Sequence, residues 1–262
     1  ASTVEEIHID YIKAGSDYIT TNNYAVTRPI LSRVNLDNEL ESLTIKSIEI
    51  AKSALSKTHS KKIKILVSLP PLETSYRADL ILEEDEMNKQ YSELANILTD
   101  TVDIIICETM TRALEAKCAL KAALEINMPV WVSWTLHGDV RNTLPSGETL
   151  NQAFSELNSL EPDAYLVNCC AANLVTPSIQ ALKELTDLPI GGYANAENVA
   201  LDTASPNLKL AAERHWDSAI EINEKAYLEE AKLWIKEGAS IIGGCCRTRP
   251  SYIKELSENL KN

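Results

Sequence analysis

The run Ala164-Tyr165-Leu166-Val167-Asn168-Cys169-Cys170 carries no charge, and a segment of helical period follows it from Val175 to Thr186. A short, continuously apolar stretch feeding a helix is what a parallel strand covered on both faces looks like, whereas a strand with one wet face would alternate. The same unit recurs in both directions along the chain. Strands are predicted over Asp17–Tyr24, Ile63–Leu69, Asp103–Thr109, Pro129–Leu136, Ala164–Cys170, Pro189–Asn195 and Ser240–Cys246. Helices are predicted over Asn38–Lys57, Glu83–Asp100, Thr111–Ile126, Glu148–Leu160, Val175–Thr186 and Asp217–Glu237. The opening segment also reads as a helix. Ser2 and Thr3 each stand three residues before a glutamate, Glu5 and Glu6, in capping-box spacing, and Gly15 supplies a stop.

Regular alternation of this kind gives an α/β chain with a parallel sheet. Each predicted strand is preceded by a helix, so the pattern is one strand short of a TIM (β/α)8 barrel, whose first strand precedes its first helix. The expectation is therefore a TIM barrel lacking its first strand in this numbering, with residues 1–262 forming one barrel domain. An open, doubly wound sheet is the rival architecture. No Gly-rich phosphate fingerprint follows an early strand, which counts against a dinucleotide-binding version of it.

Composition narrows the function. With 25 Lys and Arg against 38 Asp and Glu, the 262-residue chain carries a formal charge of −13, which repels nucleic acid and anionic membrane surfaces. No stretch reaches the roughly 20 apolar residues of a membrane span, and the first residues do not resemble a signal peptide. A cytoplasmic protein is expected, with no nucleic-acid or membrane partner. In a reducing compartment the six cysteines stay thiols, available to a metal.

Four of those cysteines come as two pairs at predicted strand ends, Cys169-Cys170 and Cys245-Cys246, the second within Gly243-Gly244-Cys245-Cys246-Arg247. Barrel chemistry sits at the C-terminal strand ends, so both pairs face the mouth. If a first strand is counted, they close strands six and eight, whose equal parity lets their thiols converge. Neighbouring residues on a strand point to opposite faces, so only one of Cys169 and Cys170 should reach inward. Both Cys245 and Cys246 can bind only if the strand has ended there, and Gly243-Gly244 supplies the freedom for that turn. Three thiolate ligands leave zinc an open position for substrate, whereas structural zinc sites usually close with four. The plain alternative is small apolar side chains packed in a core.

These residues resemble the homocysteine S-methyltransferase family, whose barrel ends in the same Gly-Gly-Cys-Cys-Arg run and whose third zinc cysteine follows an asparagine, here Asn168-Cys169. The segment Ala14-Gly15-Ser16-Asp17-Tyr18-Ile19-Thr20-Thr21-Asn22 and the pair Glu108-Thr109 are similar too, and the likeness spans nearly the whole chain. The resemblance selects Cys169 over Cys170 and implies Cys169, Cys245 and Cys246 as ligands of Zn²⁺. It further implies that Glu108 holds the substrate amino group, with Asn22 and Asn195 also at the substrate site. Asn195 would approach the open zinc position when substrate is absent. The implied reaction is zinc-dependent transfer of a methyl group from a small onium donor, such as S-methylmethionine or betaine, to homocysteine, giving methionine. No catalytic side chain is expected beyond the zinc centre. The alternative function is a non-catalytic small-molecule-binding barrel with a structural or stored zinc.

Three departures from the family stand out. Nothing matches its Asp-Gly-Gly first-strand motif. Tyr193-Ala194-Asn195-Ala196-Glu197 replaces a Tyr-Pro-Asn segment, and Leu69-Pro70-Pro71-Leu72-Glu73 replaces a Gly-rich turn. Among other residues, His137 reads as a solvated loop histidine with a lesser claim to the mouth, and His8, His59 and His215 lack a partner pattern. Trp131, Trp134 and Tyr193 either face a cationic donor or pack in the core. Cys107 and Cys118 read as core, and the Glu83–Glu86 cluster as favourable charge at a helix start.

Overall fold

A computed structural model of the chain describes residues 1–60, 62–98, 102–138, 140–200 and 219–260. The strands are β1 (Tyr18–Thr20), β2 (Lys64–Leu69), β3 (Ile104–Met110), β4 (Val130–Trp134), β5 (Ala164–Ala171), β6 (Ile190–Asn195), β7 (Glu197–Asn198), β8 (Ile220–Glu221) and β9 (Ile241–Gly244). The helices are α1 (Ser2–Lys13), α2 (Arg28–Ser32), α3 (Leu40–Thr58), α4 (Glu84–Ile97), α5 (Ala113–Leu124), α6 (Leu150–Ser155), α7 (Ala172–Lys183), α8 (Glu224–Glu237) and α9 (Pro250–Leu260). Seven parallel strands pair in the order β1-β2-β3-β4-β5-β6-β9 and curl into a partial barrel of the TIM type, with helices alternating along the chain. All seven predicted strands are present.

Alternation along the strands divides the apolar residues between two layers. Val67, Ile105, Val132 and Val167 pack outward beneath the helices, in a core that also holds Leu94, Leu120 and Leu182. Leu66, Ile104, Ile106, Trp131, Ala164 and Leu166 point the other way and fill the barrel interior, with Tyr193 and Ile241 against them. A third cluster, Ile12, Ile19, Ala51, Ala54 and Ile65, seats α1 and α3 on β1 and β2. Between β1 and β9, the two ends of the strand order, lies a cavity of about 670 Å³ walled by α1 and α9 and floored by the interior residues Leu66, Trp131 and Leu166. Among the described residues no helix is long and apolar enough to cross a membrane.

Several boundaries differ from the sequence reading. Helix α1 forms as expected and Gly15 follows it at φ +99°, but Ser2 and Thr3 lie inside the helix and no side chain caps it. The helix expected over Glu148–Leu160 is only Leu150–Ser155, and its capping box is Thr149 with Gln152. The helix expected from Asp217 starts at Glu224, where the Asn223 side chain accepts from the Ala226 N–H; ahead of it, β8 pairs antiparallel with β7. Helices α2 and α9 were not anticipated. His215, Asp139, Asp100 and Asp217 lie outside the described residues.

Candidate metal centre

The interior stripe changes character toward the strand ends. Two positions beyond Leu66, Ile106, Trp131 and Leu166 stand Ser68, Glu108, Ser133 and Asn168, all buried. Beyond this polar layer the alternation breaks. Thr109 on β3 and Cys169 on β5 both adopt left-handed backbone, at φ 59° and 54°, and each lies where its strand slips register against its neighbour. A β-branched residue and a cysteine pay a conformational cost there, so the surroundings must over-determine them.

Asn168 does much of this. Its Oδ1 accepts from the Thr109 N–H (2.9 Å) and the Ser133 hydroxyl (2.7 Å), while its Nδ2 donates to Thr109 Oγ1 (2.8 Å). One buried amide thus ties both kinks to β4. The carbonyl of Cys169 is fixed as well, accepting from Tyr76 (2.8 Å) and Thr135 (3.2 Å). The kink decides which thiol reaches the mouth. Simple alternation from Leu166 and Asn168 would turn Cys170 inward, yet Cys170 packs in the outer core with Val167 and is fully buried. Burial pushes its thiol up to about 12, as suits an inert core residue. Cys169 takes the inward direction instead.

Strand β9 ends at Gly244, and Cys245 and Cys246 follow in a turn closed by Arg247 at φ 64°. A Cβ on Gly244 would lie 2.5 Å from Thr248 Oγ1, the hydroxyl that donates to the Cys245 carbonyl at 2.6 Å, so this turn requires glycine. The result is a convergence of Cys169, Cys245 and Cys246, whose sulfurs all lie within 4.8 Å of one another, with Cys169 and Cys246 at 3.6 Å. Sulfurs bound tetrahedrally at about 2.3 Å from one zinc ion would stand roughly 3.8 Å apart. The spacing fits the ion, and an all-thiolate set suits zinc among the common divalent metals. Without a cation the cluster resists ionisation: its contacts with Cys169 and Cys246, together with burial, push the Cys245 thiol well up. Exposure is graded, from buried Cys169 through Cys245 to exposed Cys246.

The other expected residues divide. Glu108 is 8% exposed, accepts a hydrogen bond from the Tyr193 hydroxyl at 3.0 Å, and has its pKa raised, chiefly by burial, with that hydroxyl partly offsetting the rise. The Asn195 side chain is buried and committed to protein partners: its Oδ1 accepts from the Cys246 N–H (3.2 Å) and its Nδ2 donates to Glu197 (3.0 Å). Asn22 is exposed at the wall of the cavity, whereas neighbouring Asn23 is buried and donates to the Ser68 carbonyl (2.8 Å). Trp134 packs in the outer core, stacked on Tyr165, while Trp131 lies in the interior beside Tyr18. His137 is fully buried and not the solvated loop residue expected. The sequence reading assigned nothing to Tyr76, whose hydroxyl lies 2.7 Å from Cys169 Sγ. It gave no structural part to Asn168. Neither residue has a local signal, because each acts across a sequence gap of 35 or more positions.

The homocysteine S-methyltransferase family profile matches residues 1–260. The chain is 29% identical over 283 residues to homocysteine S-methyltransferase 1 of Brassica oleracea var. italica, covering 98% of this chain and 83% of that protein. It is 25% identical over 290 residues to selenocysteine methyltransferase of Astragalus bisulcatus, covering 99% and 82%. In structure it is similar to the metallated form of the homocysteine methyltransferase MmuM from Escherichia coli, with a TM-score of 0.79 at 24% identity over 98% of this chain and 84% of that one.

Proposed function

Because the chain belongs to the homocysteine S-methyltransferase family and is a methyltransferase, we propose that it uses zinc held by Cys169, Cys245 and Cys246 to methylate homocysteine from a small onium donor. The observation that carries this reading is the three-sulfur cluster within 4.8 Å at the barrel mouth, a set of ligands one short of a closed tetrahedron. When bound, zinc supplies the Lewis acidity that removes the proton from an incoming thiol near neutral pH.

The protein's own residues then select and orient. Glu108, in the polar layer beneath the mouth and steadied by Tyr193, offers its carboxylate, above its raised pKa, to the ammonium group of homocysteine. The exposed Asn22 amide is available to the polar parts of a ligand. Tyr24, hydrogen-bonded to Ser75 at 2.8 Å, and Tyr76, hydrogen-bonded to Cys169, tie the segment after β2 to the edge of the mouth. The sulfur of homocysteine attacks the methyl carbon in line. A carbon–sulfur bond forms as the methyl–onium bond breaks, the donor leaves with the bonding pair and without its positive charge, and the thiol proton is released to solvent. Charge is neutralised as the methyl group moves, which favours the transfer to the extent that the bound reactants are out of water. No general base is required of the side chains. A cationic donor also suits a pocket whose charges are a carboxylate and thiolates.

The experiment is a methyl-transfer assay of the zinc-loaded protein with homocysteine and a panel comprising S-methylmethionine, S-adenosylmethionine and betaine. Methionine formed from at least one of them, and lost on chelation of the metal, is the expected result. No methionine from any donor overturns the proposal. Zinc-replete protein that binds homocysteine without turnover would favour the storage or binding reading.

A further inference from the structure

Glu197 lies two residues beyond Asn195 and is 1% exposed. An ionised carboxylate so buried is strongly disfavoured unless well partnered, so its partners bear on what it is for. Its Oε1 accepts from Asn195 Nδ2 (3.0 Å), and its Oε2 pairs with Arg247 Nη1 (2.9 Å). The first contact fixes the orientation of the Asn195 amide, leaving Asn195 Oδ1 toward the Cys246 N–H at 3.2 Å. The second holds a residue in left-handed backbone at φ 64°, immediately after Cys246. Ala196, between Asn195 and Glu197, donates its N–H to the Cys246 carbonyl at 3.0 Å. The backbone on both sides of Cys246 is therefore gripped from the 195–197 segment, with one carboxylate acting on two of the grips.

Cys246 needs such a device more than its companions. Cys169 is buried and braced by Tyr76, and the Cys245 N–H donates to the Ala194 carbonyl at 2.8 Å, whereas Cys246 is the exposed member of the three. We propose that Glu197 is a positioning residue for the metal centre, setting the place of the Cys246 sulfur through Asn195 and Arg247. This rests on the three-cysteine metal site proposed above. It adds that the geometry of the site is maintained by a charge outside it, and that Asn195 is held to the turn and kept from the open coordination position.

The test compares wild type, Glu197→Gln and Arg247→Gln by chelator competition for zinc, by the absorption spectrum of the cobalt-substituted proteins, and by thermal unfolding of the metal-free proteins. Wild type should bind one zinc and show sulfur-to-cobalt charge transfer; failure there sinks the metal site itself. Given a competent wild type, Glu197→Gln should weaken zinc binding about tenfold or more and shift the cobalt ligand-field bands, as loss of an outer partner does. A merely structural role would lower the unfolding temperature and leave the cobalt bands unmoved. Arg247 is partly exposed, so Arg247→Gln keeps the readout available should the buried variant fail to fold; its zinc affinity should fall in the same direction with the same spectral shift. Wild-type affinity and an unchanged spectrum in whichever variants fold overturn the proposal.

Discussion

Replacing Asn168 with alanine removes a single fully buried side chain and strands three groups at once. The Thr109 N–H loses its acceptor at 2.9 Å, the Ser133 hydroxyl loses the same oxygen at 2.7 Å, and Thr109 Oγ1 loses the donor at 2.8 Å. A buried polar group left unsatisfied costs about 1–3 kcal/mol. The backbone N–H cannot turn away, so it falls at the upper end, and the two hydroxyls at the lower end, giving about 5 kcal/mol in all. For a domain of this size that corresponds to a fall of roughly 10 °C in Tm. The effect should also reach the metal. Thr109 and Cys169 hold left-handed backbone against an intrinsic cost of about 1–3 kcal/mol each, and the amide is their common tether. Calorimetry of the metal-free protein measures the first effect, and zinc titration with a chromophoric chelator the second. If Asn168→Ala unfolds within about 2 °C of wild type and binds zinc as tightly, then the paired kinks are held by something else and the reasoning from this network is wrong.

Other outcomes follow from the same geometry. Cys169→Ser should abolish stoichiometric zinc binding, while Cys170→Ser should retain one zinc per chain and lose only about 1–3 kcal/mol for burying a hydroxyl in the core; equal metal loss in the two variants would refute the assignment. Burial raises the Glu108 pKa, so its carboxylate protonates at a higher pH than an exposed one and gives up its hold on an ammonium group. The KM for homocysteine should therefore rise as pH falls through that pKa, and Glu108→Gln should show a high KM without this limb. Glu115 provides a stability test away from the site: burial lifts it from 4.5 to about 7, with hydrogen bonds from Thr111 opposing the rise. With the folded pKa above the unfolded one, its contribution is fully present below about pH 4.5 and is lost as pH rises through about 7. The loss amounts to about 3 kcal/mol. Glu115→Gln should flatten this part of the stability curve, read as unfolding temperature between pH 5 and 8, and an unchanged curve would count against a buried, titrating Glu115.

The strands were legible because each is a short apolar run with a helix after it, and covering both faces of a parallel sheet leaves that mark on composition. The two thiol pairs were legible as strand-end residues for the same reason. The choice between Cys169 and Cys170 was legible only through the family resemblance: period-two alternation continued from Leu166 selects Cys170, and the left-handed kink at Cys169 reverses it. Nothing at Asn168 or Thr109 announces that kink, because its cause is an amide on one strand bonded to a backbone on another. Helix α9 carried its signal in Tyr252, Leu256 and Leu260 at four-residue spacing behind Pro250, but a short terminal run without a following strand is easily passed over. The early part of the segment expected to form α8 went to β8 because Asn223 caps the helix from inside that range, which outranks the weak helical period before it.

Thr109 and Cys169 place the least comfortable backbone of β3 and β5 where the ligands must be aimed. Selection for heat resistance alone would draw Thr109 toward glycine or asparagine, residues at ease with positive φ. Such a replacement would relieve the chain and slacken the aim of its sulfur, since Thr109 Oγ1 is one of the anchors of Asn168. Robustness and chemical competence therefore pull in opposite directions at this position, and a library sorted on both traits should reveal the trade-off there sooner than among the residues of the outer core.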